Sequence, residues 1–172
     1  RDERLGWTGD AQVFARTAAF NMDVAGFFTK WLGDVAADQQ PDGAVPFVVP
    51  NVLTTPERRE SASAAWADAA VIIPWNTYLS YGDEGILERQ YPSMKAWVEY
   101  MRAKAGGQHR WTTGFPFGDW LAFASTAADD PGATTGKDLI AAAFYAHSTD
   151  LLQRAAAVLG KKEEAAEYAA LL

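Results

Sequence analysis

The opening run RDERLGWTGD sets Arg1, Asp2, Glu3 and Arg4 ahead of Trp7 and, three residues further, Asp10. Carboxylates interleaved with arginines form either a solvated leader or one wall of a polar site. Arginine presents a rigid fork of donors, suited to holding a hydroxyl while it orients a neighbouring carboxylate. A tryptophan beside them offers a flat apolar platform, which sugar rings favour through their axial C–H faces. Two later places repeat the pairing of indole and carboxylate: Trp66 with Asp68, and Asp119 with Trp120. Each carboxylate also has a plain structural reading, Asp10 as the N-cap of a helix from Ala11, Asp68 and Asp119 as cap or turn residues.

Composition narrows the chemistry. The length of 172 residues suits one domain with a sizeable core. Fifteen Lys and Arg residues against a net charge of −7 are scattered, so no basic stripe is available for a phosphate backbone and no nucleic-acid partner is expected. The absence of Cys rules out disulfides, thiolate nucleophiles and Cys-ligated metals. His109 and His147 stand 38 positions apart, so neither a metal site nor a cofactor is expected. No stretch reaches the roughly 18 apolar residues of a membrane span, and the compartment stays open.

Periodicity supplies the elements that must position these residues. Val24, Phe27, Phe28, Trp31, Leu32 and Val35 step by 3 and 4 and predict an amphipathic helix. Leu87, Tyr91, Met94, Trp97, Val98 and Met101 repeat the pattern between Asp83, read as N-cap, and Gly106–Gly107, with Pro92 predicting a kink or short break. The stretches 10–22, 62–79 and 137–159 are Ala-rich or apolar around most of their circumference and read as helices buried on more than one side. The order is buried helix then amphipathic helix, three times, ending in KKEEAAEYAALL, whose Lys and Glu residues read as a solvated face with pairing at short spacing.

Links within each pair are short, which implies antiparallel hairpins. Links between pairs, roughly 40–60 and 106–136, are long and rich in Gly, Pro and aromatics, and such links are uncommon without a function. If the hairpins stack side by side, those connectors and the segment before Asp10 fall at one end, where the N-termini of the inner helices also point. The expected fold is therefore all-α: three antiparallel helix hairpins forming part of a toroid, about half of one, since three hairpins do not close a large ring. Alone, such a half would expose inner-helix faces and tend to aggregate.

In that setting RDERLGWTGDAQ resembles the catalytic signature of the α-L-rhamnosidases of glycoside hydrolase family 78. The resemblance continues through FARTAAFNMD, QQPDGAVPFVVP, WADAAVIIPWNTYLSYGD and TGFPFGDWLA, essentially the whole chain. It implies an (α/α)6 barrel and inverting hydrolysis of terminal α-L-rhamnose from rhamnose-containing glycosides or oligosaccharides. By position it puts the general acid on Glu3, with Arg1, Trp7 and Asp10 lining the sugar subsite and Trp66 and Trp120 around the ring. It also implies that the general base, the remaining hairpins and flanking β domains lie outside residues 1–172.

A general acid must hold its proton near working pH, whereas Arg1 and Arg4 would depress Glu3 if they were close. The assignment thus expects burial or a second carboxylate to outweigh them. Trp31, Trp75 and Trp97 read as core, His147 as a hydrogen-bonded core histidine, and Trp111 and His109 stay open. Two competitors remain at this stage: another inverting toroid glycosidase of the glucoamylase or trehalase type, and a non-catalytic helical-repeat module that binds a partner through its rim.

Overall fold

The structure is a computed structural model that describes residues 3–53, 62–111, 116–122 and 134–172. Its helices are α1 (Thr8–Asn21), α2 (Ala25–Asp38), α3 (Ala69–Tyr81), α4 (Glu84–Ala105), α5 (Lys137–Val158) and α6 (Lys162–Leu171), with a 3-10 turn at Gly106–Gln108. No strand forms among the described residues; a single antiparallel bridge joins Trp7 to Val48. The helices follow one another as three pairs with short links, the expected hairpins.

Helix α3 is the hub, packing against α1, α2, α4 and α5. Its Val71 and Ile73 join Leu32 and Val35 of α2, Ile86, Leu87, Met94, Trp97 and Met101 of α4, and Leu152 of α5, all with essentially no exposed surface. Each such side chain contributes about 2 kcal/mol through burial, so this core, rather than helix propensity, holds the hairpins together.

The helix boundaries follow local chemistry. α4 starts as expected, with Asp83 Oδ1 accepting the Gly85 N–H at 2.9 Å. It runs unbroken through Pro92, which is exposed while Tyr91, Ser93 and Met94 around it are buried; packing carries the helix past a position with no N–H. α1 begins at Thr8, ahead of the expected start, because the extended chain up to Trp7 is fixed by pairing with the segment around Val48. Asp10 is consequently in the first turn and not the N-cap, where its charge favours the positive helix end. α3 begins only at Ala69, whereas one helix was expected from Ala62. Ala65 has φ +70°, a left-handed conformation that an α-helix excludes.

Several side-chain expectations are corrected. Phe27 is 64% exposed, so the buried stripe of α2 is the narrower set Val24, Phe28, Leu32 and Val35. α1 buries Gln12, Ala15 and Ala18 on one face and leaves Val13 79% and Phe20 90% exposed, in keeping with the exposed inner-helix face expected of part of a toroid. His147 is exposed, and the next residue, Ser148, occupies the core position on α5. The glutamates of α6 pair across to α4, Glu164 with Lys95 and Glu167 with Arg102 at 2.8 Å, rather than with the neighbouring lysines.

Candidate active site

The connectors do converge. Thr8 donates both its N–H and its hydroxyl to Phe47 O at 3.0 Å, and Val49 N–H bonds Gly6 O at 2.9 Å. This pairing requires glycine at position 6, since a Cβ there would lie 2.2 Å from Val49 O. The third connector joins through Phe117 N–H, which donates to Ser63 Oγ at 3.2 Å.

An aromatic cluster forms where they meet, with Phe117 as its centre. The Phe117 ring lies 4.7 Å from Trp66, 5.1 Å from Phe47, and 5.7 Å edge-on from both Trp7 and Trp120. Trp66 also lies flat against α1, where a Cβ on Gly9 would come within 2.7 Å of the indole. The cluster thus brings together three of the predicted aromatics, Trp7, Trp66 and Trp120, through two phenylalanines that the sequence reading passed over.

Beside it opens a cavity of about 1320 Å3 whose walls include Asp10, Gln12, Trp66, Asp119, Trp120 and Phe144. Asp10 is exposed at its edge, and Trp120 is 45% exposed. Arg1 lies outside the described residues.

Glu3 is exposed, and its Oε1 accepts the backbone N–H groups of Arg4 and Leu5, both at 2.7 Å. The Leu5 amide, then the Trp7 indole and the Arg4 amide, hold its carboxyl below the usual glutamate value against a small opposing effect of burial. The general-acid assignment expected burial or a second carboxylate to hold the Glu3 proton; among the described residues the carboxyl is instead exposed and depressed, by amide and indole donors.

Asp68 is a correction. A candidate for sugar hydroxyls or, equally, a cap or turn residue, it has no exposed surface, and both oxygens are taken within the core. Oδ2 accepts Ala65 N–H at 2.7 Å; Oδ1 accepts Trp97 Nε1–H at 2.9 Å and the Ser148 hydroxyl at 2.5 Å. Asp119 does line the cavity, but its carboxylate accepts from the N–H and hydroxyl groups of both Thr134 and Thr135, and these donors hold it below the usual aspartate value. Its turn-residue reading describes it better than a free ligand for hydroxyls.

Trp97 is fully buried, and Trp111, 4% exposed, stacks edge-on to it at 5.8 Å, which places both in the core. Among the described residues no group of three or more acidic or histidine side chains is arranged to hold a metal ion. Gln12 was missed in the sequence. Its spacing of 3 and 6 from Ala15 and Ala18 was the available signal, since a polar residue on a buried helix face must find a partner.

The comparisons agree with this geometry. The model of the bacterial alpha-L-rhamnosidase 6 hairpin glycosidase domain matches residues 1–172. An alpha-L-rhamnosidase of Formosa agariphila is 44% identical over 171 residues, covering 99% of this chain and 18% of that protein. The crystal structure of native alfa-L-rhamnosidase from Aspergillus terreus superposes with a TM-score of 0.91 at 40% identity, over 99% of this chain and 20% of that one. That of Streptomyces avermitilis alpha-L-rhamnosidase complexed with L-rhamnose gives 0.83 at 43% identity, over 99% and 15%. The chain therefore spans a fifth or less of the length of these relatives. Its three hairpins are part of an (α/α)6 toroid, and the chain belongs to the bacterial alpha-L-rhamnosidase six-hairpin glycosidase domain family.

Proposed function

We propose that this chain supplies the leaving-group side of the active site in a longer inverting glycosidase that removes terminal α-L-rhamnose from glycosides or oligosaccharides. The observation that carries the reading is that Trp7, whose indole donates to Glu3, meets Trp66 and Trp120 around one phenylalanine, beside a cavity whose walls include Asp10, Trp66 and Trp120. A relative 43% identical, solved with L-rhamnose, supports the choice of sugar.

In this mechanism Glu3 donates its proton to the glycosidic oxygen as the bond from that oxygen to the anomeric carbon breaks. Water attacks the opposite face of the sugar and loses its proton to a second carboxylate, roughly 6.5–9.5 Å from the first in inverting enzymes. That base comes from outside the chain, as do the remaining hairpins and flanking β domains. Trp66 and Trp120 stack on the apolar face of the ring, while Arg1, Trp7 and Asp10 hold its hydroxyls. For Glu3 to act as the acid, burial or a nearby second carboxylate in the complete enzyme must outweigh the donors that now depress it.

The test is Glu3→Gln in the complete enzyme, comparing a natural rhamnosyl disaccharide with an aryl α-L-rhamnoside bearing a good leaving group. A leaving group that needs no protonation partly rescues a lost general acid, so the disaccharide rate collapses while the aryl rhamnoside survives. Near wild-type rates on both substrates would remove Glu3 from the mechanism.

A further inference from the structure

We infer that Asp68, together with Gln12, is a positioning residue that fixes the left-handed Ala65 peptide and thereby aims the Trp66 ring into the site. The inference rests on the sugar-site reading above and assigns a role that no contact with sugar could give, since Asp68 is wholly buried.

Ala65 stands immediately before Trp66 with φ +70°. Glycine enters this region freely, but alanine does not, so the conformation must be imposed by its surroundings. Both polar groups of the residue are clamped. Its N–H is taken by Asp68 Oδ2 at 2.7 Å, and its carbonyl accepts Gln12 Nε2–H at 3.0 Å. Each clamp is tied to a different helix of the core. Gln12 is on α1, and Asp68 is itself gripped by Trp97 of α4 and Ser148 of α5. The direction in which the chain leaves Ala65 is therefore set jointly by three helices, and the Trp66 ring follows it. The ring ends between Gly9 on α1 and Phe117 on the last connector, facing the cavity. Without the clamp, Ala65 relaxes toward negative φ and redirects Trp66 away from that slot.

The experiment is a cycle of variants in the complete enzyme, read as KM and kcat on an aryl α-L-rhamnoside. Asp68→Asn keeps the shape but puts an amide N–H2 against one of the donors that the carboxylate now accepts. It should raise KM several-fold with a smaller change in kcat, as expected for lost ground-state binding. Trp66→Ala should raise KM by about tenfold, and the double variant should be no worse than Trp66→Ala alone, because Asp68 acts through that ring. Adding Ala65→Gly to Asp68→Asn should recover part of the lost affinity, since glycine reaches positive φ without a clamp; a general loss of core integrity would not respond in this way.

If Asp68→Asn multiplies the effect of Trp66→Ala, or leaves KM unchanged, the inference is wrong while the sugar site stands. If Trp66→Ala itself leaves KM unchanged, the sugar-site reading fails and this inference fails with it. Should Asp68→Asn not fold, Gln12→Leu releases the other side of the same peptide and is judged by the same criteria.

Discussion

The Phe117 ring stands 4.7 Å from Trp66 at an interplanar angle of 36°, while Trp7 and Trp120 meet it edge-on. One half-buried phenylalanine thus fixes the spacing of the tryptophans from three separate connectors. Aromatic pairs contribute about 1 kcal/mol each beyond their buried area, so Phe117→Ala should cost roughly 2–4 kcal/mol of stability. Catalytic efficiency should fall further than Phe117→Leu makes it fall, because leucine keeps the bulk without the edge-to-face geometry. Thermal melts and kcat/KM of the two variants check this.

Gly9 gives a sharper test of the same wall. A Cβ at that position would lie 2.7 Å from three atoms of the Trp66 indole, a rigid ring with no flexible end to swing aside. Gly9→Ala would normally favour a helix. Here it should instead destabilise by about 1–3 kcal/mol through overpacking and raise KM by displacing the ring. A higher melting temperature in this variant would show that Trp66 does not lie on α1.

These two residues also mark how far the sequence could be read. Periodicity and caps carried the helices: Asp83 as cap, the long amphipathic α4, the hairpin order and the meeting of the connectors all follow from local patterns. What periodicity could not carry was the side on which a long apolar helix is covered. Phe27 fits the buried stripe of α2 by spacing yet is 64% exposed and lines the cavity, because coverage depends on neighbours distant in sequence. The late start of α3 was hidden for a related reason: Ala65 is an excellent helix former, and only a tertiary clamp turns it left-handed. Asp68 beside Trp66 looked like a ligand for the same cavity, but nothing local reveals that Trp97 and Ser148 arrive from two other helices to enclose it.

Asp119 behaves as a clasp between residues 119 and 135. Its carboxylate gathers two backbone N–H groups and two hydroxyls from Thr134 and Thr135, just ahead of α5. Asp119→Ala releases all of them together. Proteolytic cleavage near Thr134 should become several-fold faster, with α5 itself still protected in hydrogen exchange, since its buried face is untouched. Unchanged cleavage would show that the turn holds without the carboxylate.

Tyr168 anchors α6. It is fully buried, and its hydroxyl donates to Glu99 Oε1 at 2.8 Å, with burial and then that carboxylate pushing the phenol pKa up so that the proton stays on it. Tyr168→Phe removes one charge-assisted bond and should cost about 1–2 kcal/mol. Tyr168→Ala leaves a cavity as well and should cost about 3–5 kcal/mol, enough to loosen α6 from the core. Equal losses in the two variants, measured by denaturant unfolding, would mean that the ring contributes nothing beyond its hydroxyl.

Asp68 should also leave a signature in the pH dependence of stability. Burial pushes its carboxyl up, and the Ser148 hydroxyl, Trp97 indole and Ala65 amide, which favour the ionised form, only partly offset this. The folded state then keeps a proton at pH values where the unfolded chain, titrating near about 3.9, has already released it. Because the folded state binds more protons in that window, stability from this group is highest below the unfolded value and declines as pH rises toward the folded one. Glu3 has the opposite sign: its depressed carboxyl contributes only above the unfolded value and loses that contribution on acidification. Asp68→Asn abolishes the Asp68 decline and leaves the Glu3 contribution in place. The melting temperature of the wild type minus that of the variant should therefore be largest below about pH 4 and shrink toward neutrality. A difference that grows with pH would show that the three donors outweigh burial and that Asp68 sits in the core as a carboxylate.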